Sequence, residues 1–284
     1  MTKEKILFYK YYKKTNSFAN QSVRNISKSI NTKKIGHNGI LDPMAEGLMI
    51  VASDYDTKLL QYIANKQKTY IAKCSFGYAS DTLDATGEVV KVDAEPIELN
   101  QLIKAIEVIK QQTTQIPPIY SAKKINGKKG YEYARANQEV EIPAHKIKIF
   151  KLDLLNFDFK NQTAEFEIEV SEGTYIRTLL VDLAKECNNN CIMTYLKRTK
   201  IGEIDLTGVN PGEFIDLDPT LLFDNPTFKL VNSNFDALKY GRSFELKALN
   251  GLYFGLNSNN EVATIGRVEN NTFFPKNVFN ERLK

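Results

Sequence analysis

In the stretch AEFEIEV, Phe166, Ile168 and Val170 alternate with Glu165, Glu167 and Glu169. A repeat of two residues sends one set of side chains toward a core and the other toward water, so the stretch is a strand. TYIAKCSFG has the same period. Tyr70, Ala72, Cys74 and Phe76 point one way, while Thr69, Ile71, Lys73 and Ser75 point the other, which makes Cys74 a core residue. KILFYKYYK and KIKIFKLDLLNFDF supply further strands. Helical spacing separates them. Phe18, Val23, Ile26 and Ile30 share one face of a helix begun near Ser17, a suitable N-cap, and Leu99, Leu102, Ile103, Ile106 and Ile109 mark a second. Ile176, Leu179, Leu180, Leu183, Ala184 and Cys187 mark a third, with Thr174 as its cap and the polar NNN run as its end. Strands and helices in irregular order indicate an α+β domain around a mixed, mainly antiparallel sheet flanked by helices.

The 284 residues suffice for one large domain, or a large one with a small companion. The texture changes near Phe228, where GLYFGLNSNNEVATIGRVENNTFF reads as a hairpin with an Asn-rich turn and another strand. The expected division is therefore 1–227 and 228–284, with the boundary in the window 222–230. No apolar run approaches a membrane span, and MTKEKILFYKYYKK lacks the uninterrupted apolar stretch of a signal peptide. Cys74, Cys187 and Cys191 form no disulfide framework, and with only two histidines the chain suits neither a zinc nor a His-based centre. A reduced, cytoplasmic, metal-free protein is expected. The net charge of +4 is unevenly spread: residues 1–36 carry nine Lys/Arg and one acid, residues 121–150 seven and three, and the remainder 22 and 30. Two basic zones on an acidic body suit a polyanion contact, and equally a pair of solvated surfaces.

KKIGHNGILDPMAEGLMIV holds Asp42 between Leu41 and Pro43. Asp before Pro favours a turn, and Gly36, Gly39 and Gly47 permit unusual backbone angles. Arg177 opens a helix and Tyr70 begins a strand. Taken singly, these are a turn acid, a surface charge and a core aromatic, and spacing does not pair Asp42 with Arg177.

Four blocks in order across residues 33–202 resemble the TruB-type pseudouridine synthases. KIGHNGILDPMAEGL is similar to that family's catalytic block, and KTYIAKCSFGYASDTLDATGEV to its Lys-x-Tyr block. QIPPIYSAKKINGKKGYEYAR resembles its Pro-Pro-x-Tyr-Ser-Ala segment and the basic insertion that follows, placed at about 115–148. EGTYIRTLLVDLA and YLKRTKIG resemble the Gly-Thr-Tyr-Ile-Arg and Leu-x-Arg block. The chain departs from the pattern at Asn38 and Glu46, where Thr is usual, at Glu172, where Lys is usual, and at Lys13-Lys14, where Lys-Pro is common. Residues 228–284 resemble a PUA-like RNA-binding module only in size, position and β-rich texture.

The resemblance implies a cofactor-free isomerase that turns uridine 55 of the tRNA TΨC loop into pseudouridine. It assigns the catalytic carboxylate to Asp42, a charged partner to Arg177 and a ring stacked on the uracil to Tyr70. Attack on the sugar, attack on the base and proton removal from the sugar all require an ionised Asp, and all three remain open. A fixed guanidinium beside Asp42 is expected to lower its pKa by about 1–3 units. Leu196 forms apolar wall, His37 fills the space left by a flipped base, Tyr175 supports the pocket and Lys197 contacts substrate. Lys123, Lys124, Lys128 and Lys129 lie on a segment with little apolar content, expected to be a mobile arm that clamps the tRNA backbone. The implied partner is the tRNA T stem-loop, with no membrane, no obligate protein partner and a monomeric enzyme. Two alternatives stay open: an RNA-binding folding factor with vestigial catalysis, and a synthase of a guide-RNA particle.

Overall fold

The structure, a computed structural model, describes residues 7–283. The start of the expected KILFYKYYK strand, Lys5 and Ile6, lies outside the described residues with the rest of the N-terminal segment. The described chain divides into two compact units, residues 7–61 with 65–221, and residues 62–64 with 222–283.

A nine-stranded sheet organises the first unit. Its path runs Ile149–Asp158, Thr163–Val170, Lys68–Phe76, Cys191–Ile201, Glu46–Ser53, Phe8–Lys13 and Phe214–Asp216, with Ile35–His37 added on Glu46–Ser53 and Ile204–Asp205 on Cys191–Ile201. The period-two stretches behave as expected. Phe166, Ile168 and Val170 are fully buried and the intervening glutamates are not, while Ala72, Cys74 and Phe76 bury the matching face of the neighbouring strand. Each large apolar side chain enclosed this way contributes about 1.5–3 kcal/mol. One joint in the sheet is parallel, between Cys191–Ile201 and Glu46–Ser53, where Arg198 pairs with Gly47. Gly47 has φ +114°, and a Cβ there would stand 2.2 Å from the Arg198 carbonyl oxygen, so only glycine lets the two backbones meet. Asp42 lies in the loop that enters this joint, and Tyr70 and Leu196 lie on strands at or beside it.

Helices Ala19–Ser29, Leu99–Ile109 and Ile176–Glu186 contribute apolar faces to the same core. Their faces and caps differ in detail from the expected pattern. Leu99 and Ile103 are exposed, and Ala105 takes the inward place, because the buried stripe is centred on Leu102, Ile106 and Ile109. Phe18 is exposed and is itself the N-cap position, since the Ser17 hydroxyl donates to the Lys14 carbonyl and not to the helix. Thr174 is spent on the Ser171 carbonyl, and the third helix has Tyr175 at its N-cap. That helix ends at the asparagine run, with Asn188 left-handed at φ 53°.

The second unit is a five-stranded sheet in the order Thr227–Lys229, Gly251–Leu256, Val262–Glu269, Thr272–Val278, Phe244–Glu245, with one helix, Asn232–Lys239. Asn270 and Asn271 both have positive φ and close the Val262–Val278 hairpin. Phe228, Phe244 and Phe273 form its aromatic centre. No helix among the described residues is long and apolar enough to cross a membrane.

Candidate active site

Asp42 sits in a turn closed by the Ala45 amide donating to the Asp42 carbonyl at 3.1 Å. The turn is held from beneath by Lys13, which is fully enclosed. Its ammonium donates to the carbonyls of Lys14 and Pro43, each at 3.1 Å, and of Ala45 at 2.5 Å. Burial pulls this amine down to about 8. The Lys13-Lys14 departure therefore keeps the residue that props the loop, and Lys14 supplies one of its acceptors.

Arg177 is the second residue of helix Ile176–Glu186 and is almost wholly enclosed. Its guanidinium grips Asp42 at both oxygens, Nε to Oδ2 at 2.9 Å and Nη2 to Oδ1 at 3.2 Å. Nη1 donates to the Thr82 carbonyl at 2.7 Å and Nη2 to the Tyr120 carbonyl at 3.0 Å. Four contacts on a planar fork fix both position and rotation, which a lysine cannot reproduce. The helix start is itself locked: Gln115 accepts from the Tyr175 amide at 2.8 Å and donates to the Tyr175 carbonyl at 3.1 Å. A second carboxylate stands behind Arg177. Asp84 Oδ2 lies 3.8 Å from Nε, while Oδ1 accepts from the Thr82 hydroxyl and from the Thr86 amide and hydroxyl. Of the three charged side chains, Arg177 and Asp84 are each 5% exposed and Asp42 is 32% exposed, so only Asp42 opens toward solvent.

This geometry corrects the expected pKa of Asp42. Burial pushes its carboxyl up, Arg177 pulls it down, the negative Asp84 pushes it up again, and Lys13 pulls it down; the net direction is upward. The guanidinium limits the rise and does not reverse it, because the same enclosure that brings Arg177 close also strips water from the carboxylate.

A cavity of about 620 Å³ opens over Asp42 and is lined by Tyr70, Leu196, Tyr175 and Arg177, with Lys68 and Arg198 also at its surface. Tyr70 is buried, with its hydroxyl toward the Arg198 guanidinium, and burial raises its pKa. Arg198 is itself enclosed, donating to the carbonyls of Leu48 at 2.7 Å and Gly39 at 3.2 Å. Tyr175 meets His145 edge-on, and burial raises the Tyr175 hydroxyl as well. Asp42, Tyr70, Arg177, Leu196 and Tyr175 thus converge on one cavity. Lys123 joins its lining from the arm.

Other expected residues lie outside that lining. His37 is on the Ile35–His37 strand, its Nε2 3.4 Å from the Asn20 side-chain oxygen and its Nδ1 unpartnered. Burial, with Arg198 second, lowers its pKa. Lys197 lies over the Tyr12 ring at 5.3 Å. Lys124, Lys128 and Lys129 lie in a short hairpin, Lys124–Ile125 with Lys128–Lys129, followed by helix Gly130–Arg135. The segment thus has more local structure than its composition predicted, because Ile125 is buried and the Tyr131 amide donates to the Ser121 carbonyl. Glu46, one of the departures, accepts from the Tyr195 hydroxyl at 2.5 Å and lies outside the cavity lining.

Sequence reasoning gave no role to Lys13, Lys68, Asp84, Gln115 or Arg198, although Lys13 stands in a noted departure and Lys68 and Arg198 in the Lys-x-Tyr and Leu-x-Arg blocks. Each lay in a quoted stretch, and Lys68 shares a strand face with Tyr70, but the contacts that tie Lys13, Asp84, Gln115 and Arg198 to the site reach residues remote in the chain.

The TruB family pseudouridylate synthase N-terminal domain matches residues 27–176. A tRNA pseudouridine synthase B of Mesomycoplasma hyopneumoniae (strain 232) is 39% identical over 264 residues, covering 92% of this chain and 79% of that protein. Another, of Mycoplasma mobile (strain ATCC 43663 / 163K / NCTC 11711), is 33% identical over 280 residues, covering 98% of this chain and 96% of the relative. Among solved structures, one chain of a Cbf5-Nop10-Gar1 complex matches with a TM-score of 0.66 at 17% identity, over 98% of this chain and 87% of that one, a likeness of fold alone. By the domain match and by these relatives, the chain belongs to the TruB family of pseudouridylate synthases.

Proposed function

We propose that this chain isomerises uridine 55 in the T stem-loop of tRNA to pseudouridine, acting as a cytoplasmic monomer without a cofactor. The names of its relatives support tRNA as the substrate. The observation that carries the chemical reading is the Asp42 carboxylate, held at both oxygens by Arg177 and facing a cavity walled by Tyr70 and Leu196.

In the reaction the bond from ribose C1′ to uracil N1 breaks and a bond from C1′ to C5 forms. N1 gains a proton and C5 loses one, so no group is imported and no electron leaves. Asp42 is the group that attacks the sugar, attacks the base or removes a sugar proton, and each role needs its ionised form. Arg177 keeps that carboxylate aimed and charged despite its enclosure. Tyr70 stacks on the uracil with its hydroxyl near the departing C5 proton, Leu196 excludes water and Tyr175 braces the wall. The target base reaches this cavity by flipping out of its loop, at a cost of a few kcal/mol, and His37 fills the vacated space.

Lys123, Lys124, Lys128 and Lys129, with Lys197, supply backbone contacts, the arm ordering further as it closes on RNA. The β-rich second unit acts as a PUA-like RNA-binding module. A pure RNA-binding factor would have no use for the paired Asp42 and Arg177 over a cavity, which favours the enzyme. Chemical mapping of unmodified tRNA after incubation with the purified chain tests this. Pseudouridine at position 55 is expected, and binding without any conversion would overturn the reading.

A further inference from the structure

Of the cations in the cavity lining, Arg177, Arg198 and Lys123 donate to backbone carbonyls and, among the described residues, Lys68 does not. Lys68 is 6% exposed and borders the cavity with Tyr70, and among the described residues its amine has neither a hydrogen-bond acceptor nor an ion-pair partner. Every other group that faces it has been committed elsewhere or shares its sign. Arg198, from the strand Cys191–Ile201, adds positive charge and is held by the carbonyls of Leu48 and Gly39. Glu172, from the turn after Thr163–Val170, is bound by Lys66 at 3.5 Å. Gly39, at φ +81°, passes so close that a Cβ there would stand 2.9 Å from the Lys68 amine. An enclosed charge without a partner is unfavourable unless something arrives to pair with it.

Position says what arrives. Lys68 and Tyr70 are two residues apart on one strand face, a separation of roughly 6.6 Å, the scale of the span from base to phosphate within one nucleotide. Glu172 and Lys66 are 48% and 28% exposed, which puts Lys68 toward the cavity mouth, where the backbone of a flipped nucleotide remains when its base has entered. We propose that Lys68 is a substrate-binding residue whose ammonium pairs with the phosphate of the nucleotide that stacks on Tyr70. This rests on the RNA-modifying function argued above. In the free protein, burial first and Arg198 next pull the Lys68 amine down to about 8, against the pull of Glu172, with Lys66 adding to the fall. A bound phosphate opposes that fall, so binding holds a proton that the empty site partly releases.

The test measures binding of an unmodified T stem-loop RNA to the full chain across salt and pH, with pseudouridine formation by the parent protein scored in parallel. Lys68→Met is expected to weaken binding about tenfold and to flatten the slope of log affinity against log salt by about 0.7–0.9, one phosphate contact. Its melting temperature should not fall, because methionine fills similar space without burying a charge. Lys68→Arg should keep the slope and remove the loss of affinity that the parent shows between about pH 7 and about pH 9. Glu172→Gln should tighten binding about threefold by removing a competing anion. An unchanged salt slope in Lys68→Met overturns the proposal even where the parent makes pseudouridine. If Lys68→Met does not fold, a Lys68→Arg variant that keeps the parent's pH dependence overturns it instead.

Discussion

The Asp42 pocket and the arm from Ser121 to Asn137 treat charge in opposite ways. Around Asp42 the charges are answered by protein: Arg177 by Asp42, Asp84 and two carbonyls, Lys13 by three carbonyls, while Lys68 in the cavity lining is left for a ligand. In the arm Lys123, Lys124, Lys128, Lys129 and Arg135 face a single acid, Glu132. Lys128 lies over Tyr133 at 5.8 Å, and Lys129 and Arg135 lie over Tyr131 at 5.4 and 5.3 Å. Such exposed contacts contribute about 0.5–1 kcal/mol and are easily exchanged for a phosphate. The pocket is arranged before substrate arrives, as transition-state electrostatics require. The arm keeps its charge available for a polyanion. Catalysis and affinity should therefore separate by region when each is damaged.

Arg177→Lys should have the largest effect of the variants that sharpen this contrast. A single ammonium cannot hold both Asp42 oxygens while also satisfying the Thr82 and Tyr120 carbonyls. Single-turnover rates at saturating tRNA should fall by about 10²–10³-fold with affinity nearly unchanged. A Lys variant within a few-fold of the parent would break the distinction between the two regions.

Replacing Lys123, Lys124, Lys128 and Lys129 together with Ala should do the reverse. The salt slope of binding should flatten by about 2–3 units, and the rate at saturation should stay within about threefold of the parent. Filter binding across salt, paired with single-turnover assays, reads both quantities. A rate loss as large as that of Arg177→Lys would show that the arm shapes the chemistry.

The smallest expected effect is one of pH. The reaction needs Asp42 ionised, and burial raises its pKa, so activity is complete above that pKa and is lost as pH falls through it. The acid limb of the single-turnover rate should therefore lie above the ordinary carboxylate range near 4. Binding through the arm should show no such limb. A rate profile flat down to about pH 4 would contradict the enclosure of Asp42.

Much of the fold was legible because period-two patterning is local: Phe166, Ile168 and Val170 need no knowledge of their partners to be placed inward. Helix caps were less legible. Thr174 is a good cap by type, but the helix start is held by Gln115, 60 residues earlier in the chain, and no local pattern carries that information. The Asp42–Arg177 pair spans 135 residues and came into view only through the resemblance of whole blocks. The upward shift of Asp42 was missed for a related reason. Desolvation is set by everything that encloses a group, whereas a charged partner can be named from the sequence alone.

The central claim is that Asp42 performs the chemistry and does not hold the RNA. Asp42→Asn retains shape and most hydrogen-bonding capacity while removing the charge. Pseudouridine formation by this variant, measured in single turnover at saturating tRNA beside its binding affinity, tests the claim most directly. The account predicts conversion at background level with affinity within about threefold of the parent, since phosphate contacts dominate binding. Substantial turnover by the purified Asn variant would contradict it.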